Sequence, residues 1–227
     1  MKLALALLLA ATSVGTAFAQ ESPAETARNN RLTAIIQLIQ GGQPQQAIDK
    51  LNPLLAEYQG LYPGDQQKLC KVEDYETAAY ATLPGGKVAT LVDGGWCIAL
   101  WARGFAMIDL QQIDGAVPFL ERAAAMAPFH PHYLSELGYA YQAQKQWQRS
   151  YDLYARAADA AKRESGDRQK KSLRRAWFGM AYDQIELGRL DVAEGLLRQC
   201  LALTPDDQAV KDEQQFVVEE MAKKKAS

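Results

Sequence analysis

The side chains best suited to chemistry in this sequence are two histidines and three cysteines. His130 and His132 stand one residue apart, without a Cys, Asp or Glu at a spacing typical of metal ligands. Pro131, between them, favours the first turn of a helix. We therefore predict that both histidines lie at a turn, and we expect neither a metal site nor a cofactor.

The sequence also lacks the motifs on which catalysis usually depends. Acid/base and nucleophilic mechanisms require a base beside a nucleophile, or two carboxylates in a pocket. We find no phosphate-binding loop, serine elbow or zinc-protease helix. Gly85-Gly86 and Gly94-Gly95 are interpreted as loop glycines without the flanking strand and helix of a nucleotide site. We predict that the protein is not an enzyme; the alternative, an enzyme or enzyme subunit, requires a site in residues 62–95.

Residues 1–19 have the pattern of a cleaved secretory signal. Lys2 supplies the positive start, Leu3 to Ala11 form an apolar run, and Ala17-Phe18-Ala19 place small residues at the cleavage site. A membrane anchor is the alternative, but the run is shorter than the roughly 20 apolar residues that a span needs. We predict cleavage after Ala19, export, and no integral membrane segment in the mature protein.

The balance of charge argues against a nucleic-acid partner. The formal net charge is −2, whereas nucleic-acid binding requires a concentrated basic surface. The only basic run is Lys223-Lys224-Lys225. Cations are favoured at the C-terminal end of a helix. We therefore interpret residues 223–227 as a solvated basic tail.

Two segments of the chain coincide when one is shifted by 34 residues. A period of this length is typical of arrays of helical hairpins. Small side chains are needed where the two helices of a hairpin cross closely, so the pattern also predicts the contact points within each pair. The matching pairs are Gly104 with Gly138, Ala116 with Ser150, Leu120 with Tyr154, and Ala123 with Ala157.

Residues 131–164 resemble a tetratricopeptide repeat. The family pattern, W-x-x-L-G-x-x-Y followed by Ala and Pro, is matched at Leu134, Leu137, Gly138, Tyr141, Ser150, Tyr154 and Ala157. Residues 97–130 and 174–207 follow the same scheme, except that Arg103 stands where leucine is expected. The resemblance implies an all-α fold, a right-handed α-solenoid of antiparallel helix pairs; a bundle of unrelated helices is the alternative.

The resemblance is weaker outside these three repeats. Residues 24–58 are interpreted as a weak repeat, and residues 62–95 as a degenerate one. Because Pro84-Gly85-Gly86 breaks helices, we expect one helix from about Asp65 to Thr82, followed by an irregular connection.

The C-terminal part completes the predicted domain. Residues 206–222 have apolar side chains at roughly helical spacing, and we predict that they form a capping helix over the last exposed face of the solenoid. Residues 20–222 are thus predicted to be a single domain.

The cysteines divide into one packing residue and one pair. Cys200 takes the place that Ala123 and Ala157 occupy in their repeats, so we interpret it as a small buried side chain. Cys70 and Cys97 remain as a pair in a chain that we expect to be exported to an oxidising compartment. Our hypothesis is that they form a disulfide across the irregular unit; the alternative is two free thiols.

In the tetratricopeptide family, the first helix of each pair lines a concave groove where partner peptides lie. Carried over by alignment, the resemblance implies that Ile98, Ile108, Ser135, Gln142 and Ile185 face this groove, together with the partner-binding candidates Trp101, Phe105, His132, Tyr139, Arg175, Phe178 and Tyr182. Tyr and Trp are common anchors of interfaces. The alternative is that these aromatic side chains belong to the core.

These observations together predict a protein that binds another polypeptide. We expect an adaptor or scaffold of the cell envelope, in the periplasm of a Gram-negative bacterium, with secretion as the alternative location. The short signal and the resemblance carry the bacterial assignment. A self-assembling structural protein, whose groove holds a second copy, is the alternative within the binding class.

Overall fold

The computed structural model describes residues 22–226, so the predicted signal lies outside the described part. The helices and strands are, in chain order, α1 (Pro23–Gln40), α2 (Pro44–Leu61), β1 (Lys68–Lys71), α3 (Asp74–Tyr80), β2 (Thr90–Asp93), α4 (Gly94–Asp109), α5 (Ile113–Met126), α6 (Pro131–Ala143), α7 (Trp147–Ala161), α8 (Gly166–Glu186), α9 (Leu190–Leu203) and α10 (Gln208–Ala226). A short 3-10 helix, Gly86–Val88, precedes β2.

Four helix pairs, α1–α2, α4–α5, α6–α7 and α8–α9, are built on the same turn. Each turn has three residues, and its middle residue has a positive φ of 72°, 61°, 58° and 74° at Gly42, Gln111, Lys145 and Gly188, respectively. Turns this short between packed helices reverse the chain, as the predicted array requires. The right-handed superhelix of the array stays a prediction.

Small residues let neighbouring helices approach closely, both within a pair and between pairs. A Cβ atom added to Gly104 would lie 2.6 Å from the Leu120 side chain. One repeat later, a Cβ atom on Gly138 would lie 3.1 Å from the ring of Tyr154. The same ring would be 2.4 Å from a Cβ atom on Gly179. Tyr154 therefore fills a space that glycines on α6 and α8 leave open.

The core runs along the whole array. One cluster of buried side chains joins α1, α2 and α4, a second joins α5 to α8, and a third joins α8 and α9 to α10. Val210 and Val217 of α10 are fully buried against the last pair. The final helix thus covers apolar surface that would otherwise face water.

The segment between α2 and α4 differs from the predicted one. The expected helix from Asp65 to Thr82 is wrong, because β1 and β2 pair in parallel, with Lys68 opposite Thr90. The backbone hydrogen bonds of β1 are therefore made with the neighbouring strand β2. A helix begins only at Asp74. The prediction for Gly94-Gly95 is also wrong: a strand precedes these residues, and they form the first turn of α4.

Two glycines at the start of α4 allow neighbouring groups to pack closely against the helix. A Cβ atom on Gly94 would lie 2.4 Å from the carbonyl oxygen of Lys71, and one on Gly95 would lie 2.1 Å from the hydroxyl of Tyr58. The Asp93 carboxylate accepts a hydrogen bond from the Gly95 N–H at 2.8 Å. The helix start is therefore capped by the protein's own carboxylate.

The β1–α3–β2 insertion is fastened to the helices by covalent and polar contacts. A disulfide joins Cys70 of β1 to Cys97 of α4, with a Cα–Cα distance of 6.2 Å. On the chain-entropy model, closing a loop as long as the one between residues 70 and 97 stabilises a fold by about 3–4 kcal/mol. At the other end, Glu73 pairs with Arg168 at the start of α8, at 2.8 Å. The insertion thus spans from α4 to α8.

Helix α3 carries a buried carboxyl group, that of Glu76. Glu76 is fully buried, and its oxygens have only long contacts, 3.4 and 3.5 Å, with the hydroxyls of Tyr75 and Tyr80. Burial, together with the nearby Glu73 carboxylate, raises the pKa of Glu76 to about 8. The hydroxyl of Tyr80 donates instead to the carbonyl oxygen of Cys70, at 2.8 Å.

The close crossings predict the effect of one methyl group. We expect Gly179→Ala to destabilise the fold by about 1–3 kcal/mol, because the Tyr154 ring is already in contact and must move. Gly195 of α9 is the matched control, since a Cβ atom there meets nothing within 4 Å. Gly195→Ala should stabilise by about 0.5–1 kcal/mol, as alanine does in a helix. Urea unfolding of both variants measures the difference, and equal effects would contradict the packing argument.

The raised pKa of Glu76 predicts a loss of stability as the pH rises from about 4.5 to about 8. Its pKa is raised in the folded state, so its contribution is fully present below the ordinary value of 4.5 and is lost as the pH rises through about 8. Over that window the loss reaches about 1.4 kcal/mol per pH unit. We expect Glu76→Gln, which cannot ionise, to flatten the dependence of unfolding free energy on pH. Parallel curves for the wild type and the variant would show that Glu76 does not titrate in this range.

Candidate functional site

The first helices α4, α6 and α8 present a row of aromatic side chains along one face. Tyr139 and Tyr182 are 44% and 38% exposed, and Trp101, Phe105 and Phe178 are partly buried. We call this face, with His132 and Arg175, the groove. Two residues that the sequence placed on it, Ile108 and Ser135, are buried. They support the surface from beneath and cannot contact a partner.

The groove is packed tightly between α4 and α6. The ring centroids of Trp101 and His132 lie 5.0 Å apart, and Trp101 also packs beside Phe105 at 5.7 Å. His130 stacks on Tyr133 at 3.8 Å. Burial lowers the pKa of His132 to about 4, with Arg175 adding to the effect, and lowers that of His130 to about 3. Both imidazoles are therefore neutral at pH 7.

A buried ion pair joins α6 to α8 in the floor of the groove. Glu136 is 3% exposed and lies 2.9 Å from the Arg175 guanidinium. Burial raises the pKa of Glu136, and Arg175 opposes that shift. Arg175 also contacts Nδ1 of His132 at 3.2 Å, where the neutral ring accepts. Arg175, predicted as a partner-binding residue, is thus largely engaged within the protein.

Sequence reasoning missed Glu136. It stands four residues after His132, one helical turn along α6, so helical spacing could have indicated the contact. Nε2 of His132 lies 3.6 Å from a Glu136 oxygen. Because the histidine is neutral, this contact is not an ion pair.

A second polar link between α6 and α8 lies further along the groove. The Gln142 amide donates to the Asp183 carboxylate at 3.0 Å and to the Gly179 carbonyl at 3.3 Å. Asp183 is fully buried, and burial raises its pKa to about 6. Tyr182 lies beside Trp147 at 6.1 Å. These links hold the two helices in one register, so the exposed tyrosines stand on a fixed surface.

The face continues toward α1 as a larger opening, which we call the N-terminal cleft. It has a volume of about 640 Å³ between α1, the end of the small sheet and α4. Apolar side chains line much of it, including Leu32, Ile36, Leu91 and Ile98. Ile98 is the groove residue predicted nearest to the N-terminus, so the cleft adjoins the row of aromatic side chains.

The polar wall of the N-terminal cleft is centred on Arg28. This residue is 8% exposed, and its guanidinium lies 3.6 Å from Glu57 and 3.7 Å from Asp93. It also lies 5.7 Å from the centre of the Tyr58 ring. No sequence pattern indicated this residue, because a single arginine on an apolar helix face has no characteristic motif.

We searched the described residues for groups that could bind a metal ion or carry out catalysis. Among residues 22–226, no group of three or more His, Cys, Asp or Glu side chains could hold a metal ion. The residues lining the N-terminal cleft include no His, Cys or Ser. Glu76 of the 62–95 region has a strongly raised pKa. Its side chain is fully buried and out of reach of a substrate. No helix in the described part is long and apolar enough to cross a membrane.

Comparisons with known proteins agree with this geometry. The family model described as "Tetratricopeptide repeat" matches residues 134–169, which cover most of α6, all of α7 and the beginning of α8. A search of curated proteins finds no match.

Solved structures with the same fold extend the likeness over most of the chain. The structure of pilF from Pseudomonas aeruginosa has a TM-score of 0.63 at 13% identity, over 89% of this chain and 72% of that one. A putative kinesin light chain from Podosopora anserina with TPR-like repeats has a TM-score of 0.59 at 17% identity, over 88% and 90%. MamA of MSR-1 has a TM-score of 0.55 at 16% identity, over 86% and 87%.

At these identities the structural likeness establishes the fold alone. The matched repeat, the four equivalent turns and the fold agree with one another. Residues 134–169 are therefore a tetratricopeptide repeat, and the chain has the fold of tetratricopeptide-repeat structures.

Proposed function

We propose that the protein is an adaptor or scaffold that binds a partner polypeptide in the groove. The observation that carries this proposal is the row of partly exposed aromatic side chains on α4, α6 and α8. Exposed tyrosine is a frequent anchor of protein interfaces. Tyr139 and Tyr182 extend from helices that the Glu136–Arg175 and Gln142–Asp183 contacts hold in place, so a partner meets a surface that is already ordered.

The exposed residues of the groove fit an apolar or amphipathic partner helix. The cations and carboxylates of the floor are paired with one another, which leaves aromatic surface as the accessible part. An amphipathic helix lays its apolar side chains into such a surface at intervals of three or four residues. Trp101, Tyr139 and Phe178 are the proposed anchors, and Phe105, His132, Arg175 and Tyr182 border them.

The proposal places this adaptor outside the cytoplasm. Disulfides persist in oxidising compartments, and the Cys70–Cys97 bond agrees with the signal pattern at residues 1–19. The periplasm of a Gram-negative bacterium is the location we propose. Envelope assembly is the process we propose for it.

A double substitution tests the groove. We expect Tyr139→Ala with Tyr182→Ala to weaken partner binding by about thirtyfold or more, the loss of about 2 kcal/mol typical of an interface anchor. Both side chains are exposed, so the helical circular dichroism signal should not change. The measurement is recovery of the partner with the tagged protein from intact cells, after crosslinking and identification by mass spectrometry.

Val192→Ala is the matched control. Val192 is 40% exposed but lies on α9, a second helix, and should bind the partner as the wild type does. If the double variant recovers as much partner as this control, the groove is not the binding site. Recovery of only a second copy of the chain would instead assign the groove to self-assembly.

A further inference from the structure

A cleft on the opposite face of α4 from the groove has an unusual lining. It lies between α2 and α5, has a volume of about 290 Å³, and is floored by Trp96 and Leu100 of α4. Arg103 and Arg122 border it. We call it the arginine cleft. Its helix face carries Trp96, Leu100 and Arg103, whereas the groove uses the other face of the same helix.

The two arginines of this cleft have no anionic partner. Within the described residues, neither Arg103 nor Arg122 has an acidic side chain within 4.0 Å, and no Asp or Glu lines the cleft. Nε of Arg103 is buried without a hydrogen bond, and burial lowers the pKa of this guanidinium. Bringing a cation into a partly dry site without compensation is unfavourable, so the arrangement has a cost that a bound anion would offset.

An aromatic ring lies against each of the two guanidinium groups. Arg103 lies 4.4 Å from the centre of the Phe119 ring, and Arg122 lies 4.8 Å from that of Trp96. Within the described residues, the N–H edges of the two guanidinium groups have no hydrogen-bond acceptor. Those edges match the planar, two-oxygen geometry of a carboxylate.

The next repeat provides an internal comparison. Shifted by 34 residues, Arg103 falls on Leu137, Phe119 on Leu153 and Arg122 on Arg156. These three line the equivalent cleft between α5 and α7, but there Glu121 and Asp152 are also present. The cleft that has Arg103 in place of the family's leucine therefore also lacks the acidic residues that line the equivalent cleft of the next repeat.

We propose that the arginine cleft binds the carboxylate of a small apolar acid, or of a polypeptide C-terminus with an apolar last residue. The carboxylate meets the edges of Arg103 and Arg122, and the apolar body lies against Leu55, Leu100 and Phe119. The volume fits a body the size of one ring or one side chain, not a helix. This site is independent of the groove.

Nuclear magnetic resonance titrations of the full mature protein test the proposal. The probes are benzoate for a free acid and N-acetyl-phenylalanine for a chain terminus, with benzamide and N-acetyl-phenylalanine amide as neutral isosteres. We expect both acids to shift the backbone signals of residues around the cleft, and the amides to have no effect. The acid that binds more tightly identifies the source of the carboxylate.

Three variants locate the binding. Arg103→Leu restores the side chain that the next repeat carries, and Arg122→Gln changes an exposed residue, so both should keep the fold. Each should weaken acid binding by about tenfold or more, the usual effect of losing a charge-assisted hydrogen bond. Arg156→Gln, the equivalent of Arg122 one repeat later, should leave binding unchanged. The absence of any shift with the acids, equal shifts with the amides, or an equal loss in Arg156→Gln would overturn the proposal.

Discussion

The close approach of helices at glycine is the constraint on which this structure depends. Gly104, Gly138 and Gly179 each leave room for a large side chain of a neighbouring helix, Leu120 in the first case and Tyr154 in the other two. A solenoid repeat has no core of its own and is stable only when it is stacked on its neighbours. A methyl group at any of these glycines would force the neighbouring side chain to move and would loosen the packing of the two helices there. The orientation of the groove residues follows from this packing.

The groove and the arginine cleft show how one helix can serve two surfaces. On α4, Trp101 and Phe105 face one side, whereas Trp96, Leu100 and Arg103 face the other. In the groove, the buried Glu136 carboxylate is paired with Arg175, and His132 is neutral. In the arginine cleft, the described residues provide no acidic partner for Arg103 and Arg122. We therefore propose an aromatic surface for a polypeptide in the first case and a site for an anion in the second.

The sequence was sufficient to predict the repeated helix pairs but not the structure of the β1–α3–β2 insertion. The reasons are physical. The 34-residue coincidence at Gly104 and Gly138 predicted the helix pairs, because close packing repeats the same demand in every unit. Residues 62–95 have no such periodicity. Their strands are short, and β1 is stabilised by partners distant in sequence, β2 and Cys97, which local helix propensity does not register. The surroundings of Arg28, the pairing of Glu136 with Arg175 and the volume of the clefts likewise depend on which helices become neighbours, so they required the structure.

Hydrogen exchange of the protein, alone and with the partner bound, tests whether the partner lies in the groove. We expect binding to slow amide exchange in the first helices α4, α6 and α8, around Tyr139 and Tyr182. We expect little change in the second helices α5, α7 and α9. Protection confined to the second helices or to the β1–α3–β2 insertion would contradict a groove built from the first helices.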